Sequence, residues 1–263
     1  MTRLQWNAPG ERTYEYGVDR CVLYTDSGKV APWNGIKNIA QKPTGAEIST
    51  FYLDGEKVNQ SIENEEFTAT LTAFTSPREF DECDGLVDLG KGLYVDAQPR
   101  LGFGLSWRSR IGNDTEGADY AYRIHLLYNC LASPTDRNNA TTSEKIEPDE
   151  FAWNITTFPT RFPGQKASAH YSIDSRKMDK YILKRIEDIL YGTPFTSPRM
   201  PTMAELKEFF KTAVTVVVTD NRDGSFTVTA PDDVLTLLTG TEFQIKWDSA
   251  NFIDEFTYTL ETL

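Results

Sequence analysis

The stretch from Ile173 to Gly192 constrains the fold most, because it carries the one long helical pattern in a chain that otherwise reads as strands. Met178, Ile182, Ile186 and Ile189 recur at spacings of four, four and three, and Leu183 and Leu190 widen the stripe. Such spacing puts the apolar residues on one face, with Lys180, Lys184, Glu187 and Asp188 opposite. Asp174 or Ser175 can cap the first amides, and Gly192 can end the helix in a left-handed conformation. A single one-sided helix after a long series of strands has an obvious use, which is to cover a face or end of a β-sheet core.

The remainder alternates. Arg12 to Thr25 places Tyr14, Tyr16, Val18, Val22 and Tyr24 on one parity, and Glu65 to Thr75 places Phe67, Ala69, Leu71 and Ala73 opposite three threonines. Strands are expected from Trp33 to Ala40, with a break over Gln41 to Gly45, and from Ala46 to Leu53. Lys57 to Ile62 returns across the hairpin signal Asp54-Gly55. Gly102 to Ile111 and Tyr120 to Ala132 join across Gly112-Asn113-Asp114, and Phe151 to Phe162 and Lys166 to Ile173 across Pro163-Gly164. Met1 to Glu11 reads as a polar arm, Ser133 to Glu147 as a polar loop, and Thr193 to Thr202, with three prolines, as a linker. Thr202 can cap a short helix over Met203 to Lys211.

The character changes after Thr212. Residues 213–263 hold nine acidic side chains against two basic ones, so −7 of the chain's net −12 lies there. Hairpin strands are expected around Asp223-Gly224, a helical turn over Asp232 to Leu238, and strands over Glu242 to Trp247 and Phe256 to Leu260. Two domains follow: a β-sandwich with a flanking helix over 1–212 and a small acidic piece over 213–263. A core of 51 residues is marginal alone, so this piece is expected to dock on the main body or on another subunit.

The charge balance argues against ordinary nucleic-acid binding, which needs clustered Lys and Arg. No run of 18 apolar residues occurs, and the first residues, Met-Thr-Arg-Leu-Gln-Trp-Asn, lack an apolar signal region, which implies folding in the cytoplasm of the producing cell without membrane insertion. Cys21, Cys83 and Cys130 are too scattered for a disulfide framework or a zinc site. His125 and His170 fall within strands and lack a partner motif.

The acidic group Glu79, Asp81, Glu82 and Asp84 is the best superficial enzyme candidate, since paired carboxylates can do acid/base work on a sugar. Four carboxylates within six residues on a turn are ordinarily solvated. Asp220-Asn221-Arg222-Asp223-Gly224 fails the spacing of a calcium loop and suits a hairpin turn. Asn113, Asn139 and Asn154 begin glycosylation sequons that matter only on a secretory route. The 5 Trp, 12 Tyr and 15 Phe could line a carbohydrate groove, although in a β-rich chain core packing is their default. No catalytic, cofactor-binding or metal residue is assigned, and a binding or structural protein is expected rather than an enzyme.

Several motifs in combination are similar to a known family. These are Trp33-Asn34-Gly35, Tyr52-Leu53-Asp54-Gly55, Glu65-Glu66-Phe67-x-Ala69, and Ala73-Phe74-Thr75-x-Pro77-x-Glu79-Phe80-x-x-Cys83-Asp84-Gly85. Further on stand Phe103-Gly104-Leu105-Ser106-Trp107-Arg108-x-Arg110-x-Gly112-Asn113-Asp114, Tyr122-x-Ile124-His125-Leu126-x-Tyr128-Asn129 and Ile173-Asp174-Ser175-Arg176-Lys177. From Met1 to about Phe210 the chain resembles the major tail tube protein of long-tailed, siphovirus-type phages of actinobacteria. Ser133 to Glu147 and the tip near Asn59 depart from the pattern.

The resemblance implies two packed antiparallel sheets, partly closed like a barrel, flanked by one helix. It implies a virion protein that forms hexameric rings stacked into a tail tube, through which DNA is ejected without specific binding. The partners implied are further copies of itself, a tape measure protein, and tail terminator and distal tail proteins. Gln41 to Asn64 is then expected to be the hairpin that reaches a neighbouring subunit, Met1 to Glu11 an arm that orders on assembly, and residues 213–263 a decoration or brace. The alternative from another class is a carbohydrate-binding β-sandwich module involved in host recognition.

Overall fold

The computed structural model describes residues 6–45, 48–62, 65–137, 139, 141, 148–162, 164–211, 217–220, 226–229, 242–246 and 255–259. Two compact units divide the chain, Met1–Lys207 and Glu208–Leu263.

The first unit is mainly β. Its strands are β1 (Thr13–Thr25), β2 (Val30–Pro32), β3 (Ile36–Gly45), β4 (Ile48–Leu53), β5 (Glu56–Ile62) and β6 (Glu65–Ala73). A single 3-10 turn, Arg78–Phe80, runs into the one-turn helix α1 (Asp81–Asp84), followed by β7 (Val87–Asp88) and β8 (Tyr94–Val95). Then come β9 (Phe103–Asn113), β10 (Gly117–Pro134), β11 (Phe151–Thr157), β12 (Thr160–Arg161), β13 (Ala167–Ser168), β14 (His170–Asp174) and the helix α2 (Lys180–Tyr191), while α3 (Met203–Lys211) runs across the division between the units.

One antiparallel sheet organises these elements in the order β2-β1-β9-β10-β11-β6-β3, with β14 added to β10. It curls. Four strand spacings separate β2 from β11, which in a flat sheet would be about 19 Å. Yet the ring of Trp33, which directly follows β2, lies 5.6 Å from that of Trp153 on β11. The two expected packed layers are therefore two halves of one continuous sheet, and among the described residues it does not close into a barrel. The long strand β10 makes the bend. Its first half, Arg123–Leu127, pairs with β14, and its second, Cys130–Pro134, with β11. The register shifts between them, where Asn129 adopts φ 51°. Asn129 holds the corner by donating from Nδ2 to Phe158 O (3.1 Å) and Thr160 Oγ1 (2.8 Å).

Between the halves lies the core. Phe80 is fully buried at its centre, with ring centroids 4.5 Å from Trp33, 5.2 Å from Trp153 and 5.5 Å from Phe103. Leu23, Leu71, Leu105 and Leu127 complete it. Trp33 Nε1 donates to Thr75 O (2.8 Å), so the indole satisfies its polar atom while burying its rings.

Strand β1 departs from the expected parity. Register shifts follow Tyr16 and Asp19, with Gly17 and Arg20 at φ 66° and 47°. Each bulge re-aims the chain, so Cys21 and Leu23 join the core, while Tyr24 faces the other side of the sheet, where it is buried and donates from its hydroxyl to Leu190 O (2.8 Å) on α2. The break expected over Gln41–Gly45 does not occur: β3 runs through it, pairing Pro43 with Phe67 and Gly45 with Glu65. As an edge strand β3 tolerates a proline, which a central strand would not.

The helix begins later than expected. Ile173 and Asp174 belong to β14, paired with Ile124 and Arg123. Asp174 binds the Arg176 guanidinium and backbone amide, and Asp179 caps α2 by accepting from Tyr181 N (2.8 Å) and Ile182 N (3.4 Å). Gly192 ends it, as expected, but at φ 78° and ψ 169°, a positive-φ conformation open to glycine rather than the left-handed helical one expected. The buried positions are Leu183, Ile186 and Leu190, so Met178 and Ile189 are not the centre of the stripe. The expected cap of α3 is present and is reciprocal: Glu205 N donates to Thr202 Oγ1 (3.2 Å) and Thr202 N to Glu205 Oε2 (2.8 Å).

In the second unit the described strands form two antiparallel hairpin pairs, β15 (Val217–Asp220) with β16 (Phe226–Thr229) and β17 (Glu242–Lys246) with β18 (Glu255–Thr259). The expected Asp223-Gly224 turn and the helical turn over Asp232 to Leu238 lie outside the described residues, as does Pro163 of the Pro163-Gly164 turn.

Candidate assembly surface

The pieces of sequence singled out for chemistry are placed apart by the fold. In the acidic group, Phe80 and Cys83 are buried, and the carboxylates flanking them take separate partners. Glu82 accepts from Ser27 Oγ and from Lys29 Nζ (3.2 Å), and these bonds hold its carboxyl below the usual range against partial burial. Burial pushes Asp81 and Asp84 up; for Asp81 the carboxylates of Asp84, Asp88 and Glu79 add to it, while Arg78 opposes. Glu82 is thus ion-paired, and Asp84 is partly buried and accepts from the Trp153 side chain. Cys21, Cys83 and Cys130 are free and buried, and burial raises each thiol, Cys83 to about 12. Among the described residues no group of three or more His, Cys, Asp or Glu is arranged to hold a metal ion. No helix among them is long and apolar enough to cross a membrane.

Of the two sequons with contacts, Asn113 is buried and its Oδ1 caps the β9–β10 turn by accepting from Thr115 N and Glu116 N. Asn154 lies on β11, where its Oδ1 accepts from Thr70 Oγ1 (3.0 Å). Trp33, Trp107 and Trp153 are core residues and cannot serve as platforms for a sugar.

The histidines are brought together, which their sequence positions did not reveal. Pairing of β14 with β10 sets His170 beside Leu127, so the His125 and His170 rings stack at 5.3 Å. Trp107 stacks on His125 at 4.9 Å and Phe67 on His170 at 4.5 Å. His125 Nδ1 lies 3.0 Å from His170 Nε2, and His125 Nε2 lies 2.9 Å from Ser109 Oγ, which donates to Glu15. One assignment satisfies every bond: His170 Nε2–H donates to His125, His125 Nε2–H to Ser109, and Ser109 to the Glu15 carboxylate. Arg123 closes the far end, donating to Glu15 Oε2 (2.6 Å) and to Asp174 Oδ2 (3.5 Å). Burial drives both imidazoles down to about 4; Glu15 opposes this at His125, and the His125 and Arg123 charges reinforce it at His170. Both rings are therefore neutral at pH 7, and the chain ties β1, β9, β10 and β14 together.

Of the expected hairpin, Gln41 to Asn64, the part Gln41–Gly45 is held in the main sheet by β6, and what remains outside this packing is Ile48 to Ile62. Strands β4 and β5 pair from Ile48↔Ile62 to Leu53↔Glu56, with a register shift after Phe51, and turn at Asp54 (φ 50°) and Gly55 (φ 83°). Ile48, Phe51, Tyr52, Leu53 and Val58 are each 56–67% exposed. Alternation puts Phe51 and Leu53 on one face and Ile48 and Tyr52 on the other, so neither face is polar. A two-stranded ribbon is at best marginal in water alone, and one that presents apolar side chains on both faces calls for a cover. A second exposed apolar segment spans β7 and β8. Of the expected arm, residues 6–11 are described, with Trp6 exposed and Gly10 N donating to Asp114 Oδ1 (2.9 Å).

No family model matches the chain, and no curated protein matches it. Solved structures are similar at low levels. A chain in the cryo-EM structure of the anti-feeding prophage baseplate, 6-fold symmetrised, shares 9% identity at a TM-score of 0.32, over 65% of this chain and 97% of that one. One in an extracellular contractile injection system, the PVC sheath/tube terminator in the extended state, shares 15% at 0.29, over 61% and 97%. One in the PVC sheath-tube complex in the extended state shares 13% at 0.28, over 59% and 88%. Superpositions this loose fix neither fold nor role.

Proposed function

We propose that this chain is a structural protein of a phage-type tail, whose copies assemble head to tail into hexameric rings stacked as a tube. The observation that carries this reading is the β4–β5 ribbon. Burying five large apolar side chains, each already partly covered, is worth roughly 5–10 kcal/mol per contact, of the same order as the cost of association that it offsets. A contact between two different patches of identical chains closes as a ring or continues as a filament. The motif resemblance of the first 210 residues supports the tube geometry in particular.

In such a tube the net charge of −12 has a use. Carboxylates facing the lumen repel phosphates over about 8 Å at physiological salt, so DNA slides without sticking. The partners of the assembled tube are then further copies of this chain along its length, with tape measure, terminator and distal tail proteins inside and at its ends. The acidic residues 213–263 form a separate domain that decorates or braces the rings.

Deleting Asp54 to Gln60 tests the reading. The variant is expected to be a folded monomer, with the circular dichroism spectrum of the parent, that no longer polymerises. Tubes of normal width from this deletion would contradict it.

A further inference from the structure

An apolar ribbon that polymerises the chain needs a receiving surface on the neighbouring copy. We infer that this surface is the flap formed by β7, β8 and the turn between them; the inference rests on the assembly reading above. Val87, Leu89, Leu93 and Tyr94 are 40–62% exposed there. Their exposure does not come from a loose loop. Leu89 N donates to Leu93 O (2.9 Å), Leu93 N to Gly90 O (3.2 Å) and Gly90 N to Asp88 Oδ1 (2.7 Å). The turn passes through left-handed Gly90, Lys91 and Gly92.

At its base the flap is bound to α1 by Leu86 N to Asp81 O (2.8 Å), Gln98 N to Gly85 O (2.9 Å) and Leu101 N to Glu82 O (3.0 Å). There is no slack at that base, since a Cβ on Gly85 would meet Gln98 O at 2.7 Å. Because α1 carries the core residue Cys83, and the turn before it carries Phe80, the flap is a stiff platform that holds leucines outward.

Three observations select a second copy's ribbon as the occupant. The first is area. The exposed parts of the five ribbon residues and the four flap residues sum to about 1,100 Å², against the ~1,200–2,000 Å² of a specific interface once polar rims are added. A symmetric contact, flap to flap or ribbon to ribbon, would close a dimer rather than a ring or filament, so the two different hairpins must meet.

The second is charge. Lys91 stands at the flap's apex and makes no salt bridge among the described residues, and neither do Asp54 and Glu56 at the ribbon's tip. Seated together, these groups pair. The third is that the apolar side chains of both hairpins are left exposed within their own chain, the ribbon's at 56–67% and the flap's at 40–62%.

The test mixes two variants of the full chain. Leu53→Cys places a thiol on the ribbon and Leu89→Cys one on the flap, and the native cysteines are buried and stay silent. In an equimolar mixture about a quarter of the head-to-tail contacts bring the two thiols together. Mild oxidation is expected to yield disulfide-linked dimers from the mixture and none from either variant alone. Leu89→Asp/Leu93→Asp is expected to raise the concentration needed for polymerisation on the order of 100-fold. Lys91→Glu is expected to weaken assembly, and adding Asp54→Lys in the same chain to restore it. Normal polymerisation of Leu89→Asp/Leu93→Asp, or a mixture that polymerises without crosslinking, would overturn the flap assignment while leaving the assembly reading standing. A parent protein that never associates would overturn the assembly reading, and the flap assignment with it.

Discussion

Acid should weaken this fold through the His125–His170 pair before it protonates the structural carboxylates. Both imidazoles are held down to about 4 by burial, whereas in the unfolded chain they titrate near 6.5. Between those values the unfolded state binds more protons, so stability rises with pH there. The contribution is fully present above pH 6.5 and is lost as pH falls towards 4. For the first proton it amounts to about 3 kcal/mol, the free energy that separates an imidazole at 6.5 from one at 4.

The geometry gives the reason. His125 Nδ1 accepts from His170 Nε2 at 3.0 Å, so protonating it sets two N–H groups against each other unless His170 changes tautomer. The charges facing the pair are Glu15 on β1, Arg123 on β10 and Asp174 on β14, and Ser109 on β9 passes the bond to Glu15. Urea unfolding followed by tryptophan fluorescence, at pH 7.0 and 4.5, measures the effect. With both rings still neutral in the folded chain at pH 4.5, the parent is expected to lose about 4–5 kcal/mol more over this interval than a His125→Gln/His170→Gln variant. Parallel pH profiles for the two proteins would refute the reasoning.

Other perturbations have distinct outcomes. Asp179→Ala removes two amide bonds at the start of α2 and should cost about 1 kcal/mol in urea unfolding, with little change for Asp174→Ala at the helix itself. Phe80→Ala empties the centre of the aromatic core and should cost about 3–5 kcal/mol. Glu205, held down to about 2 chiefly by the Arg199 guanidinium, adds stability that is present above the ordinary carboxylate range and lost as pH falls towards 2; the acid limb of Glu205→Gln should be correspondingly flatter in a thermal melt. Gly85→Ala combines a left-handed φ of 79° with a 2.7 Å approach to Gln98 O, and should loosen the flap as judged by hydrogen exchange at Leu86 and Gln98.

The strands were legible because alternation survives wherever one face is buried, as in Glu65 to Ala73. The Asp54-Gly55 turn and the Gly192 stop carry local chemistry that needs no tertiary information. Other features depended on context. Asp174 can cap a helix, but strand pairing with Arg123 took it into β14, and the cap fell to Asp179. Pro43 and Gly45 look like breakers until β3 is known to be an edge. The bulges at Gly17 and Arg20 scramble a parity that looked continuous. The histidine pair was invisible, since only the pairing of β14 with β10 juxtaposes two residues 45 positions apart. The exposed ribbon was foreseen as a hairpin, whereas the flap around Leu89 and Leu93 gave no periodic signal at all.

Negative-stain electron microscopy with sedimentation velocity on one purified sample, over a concentration series that includes the Asp54–Gln60 deletion, tests self-assembly most directly. Rings or striated tubes of uniform width from the parent, with a monomeric deletion, are expected. A parent that sediments as a folded monomer at every concentration, or a deletion that assembles like the parent, would contradict the assembly role given to the ribbon.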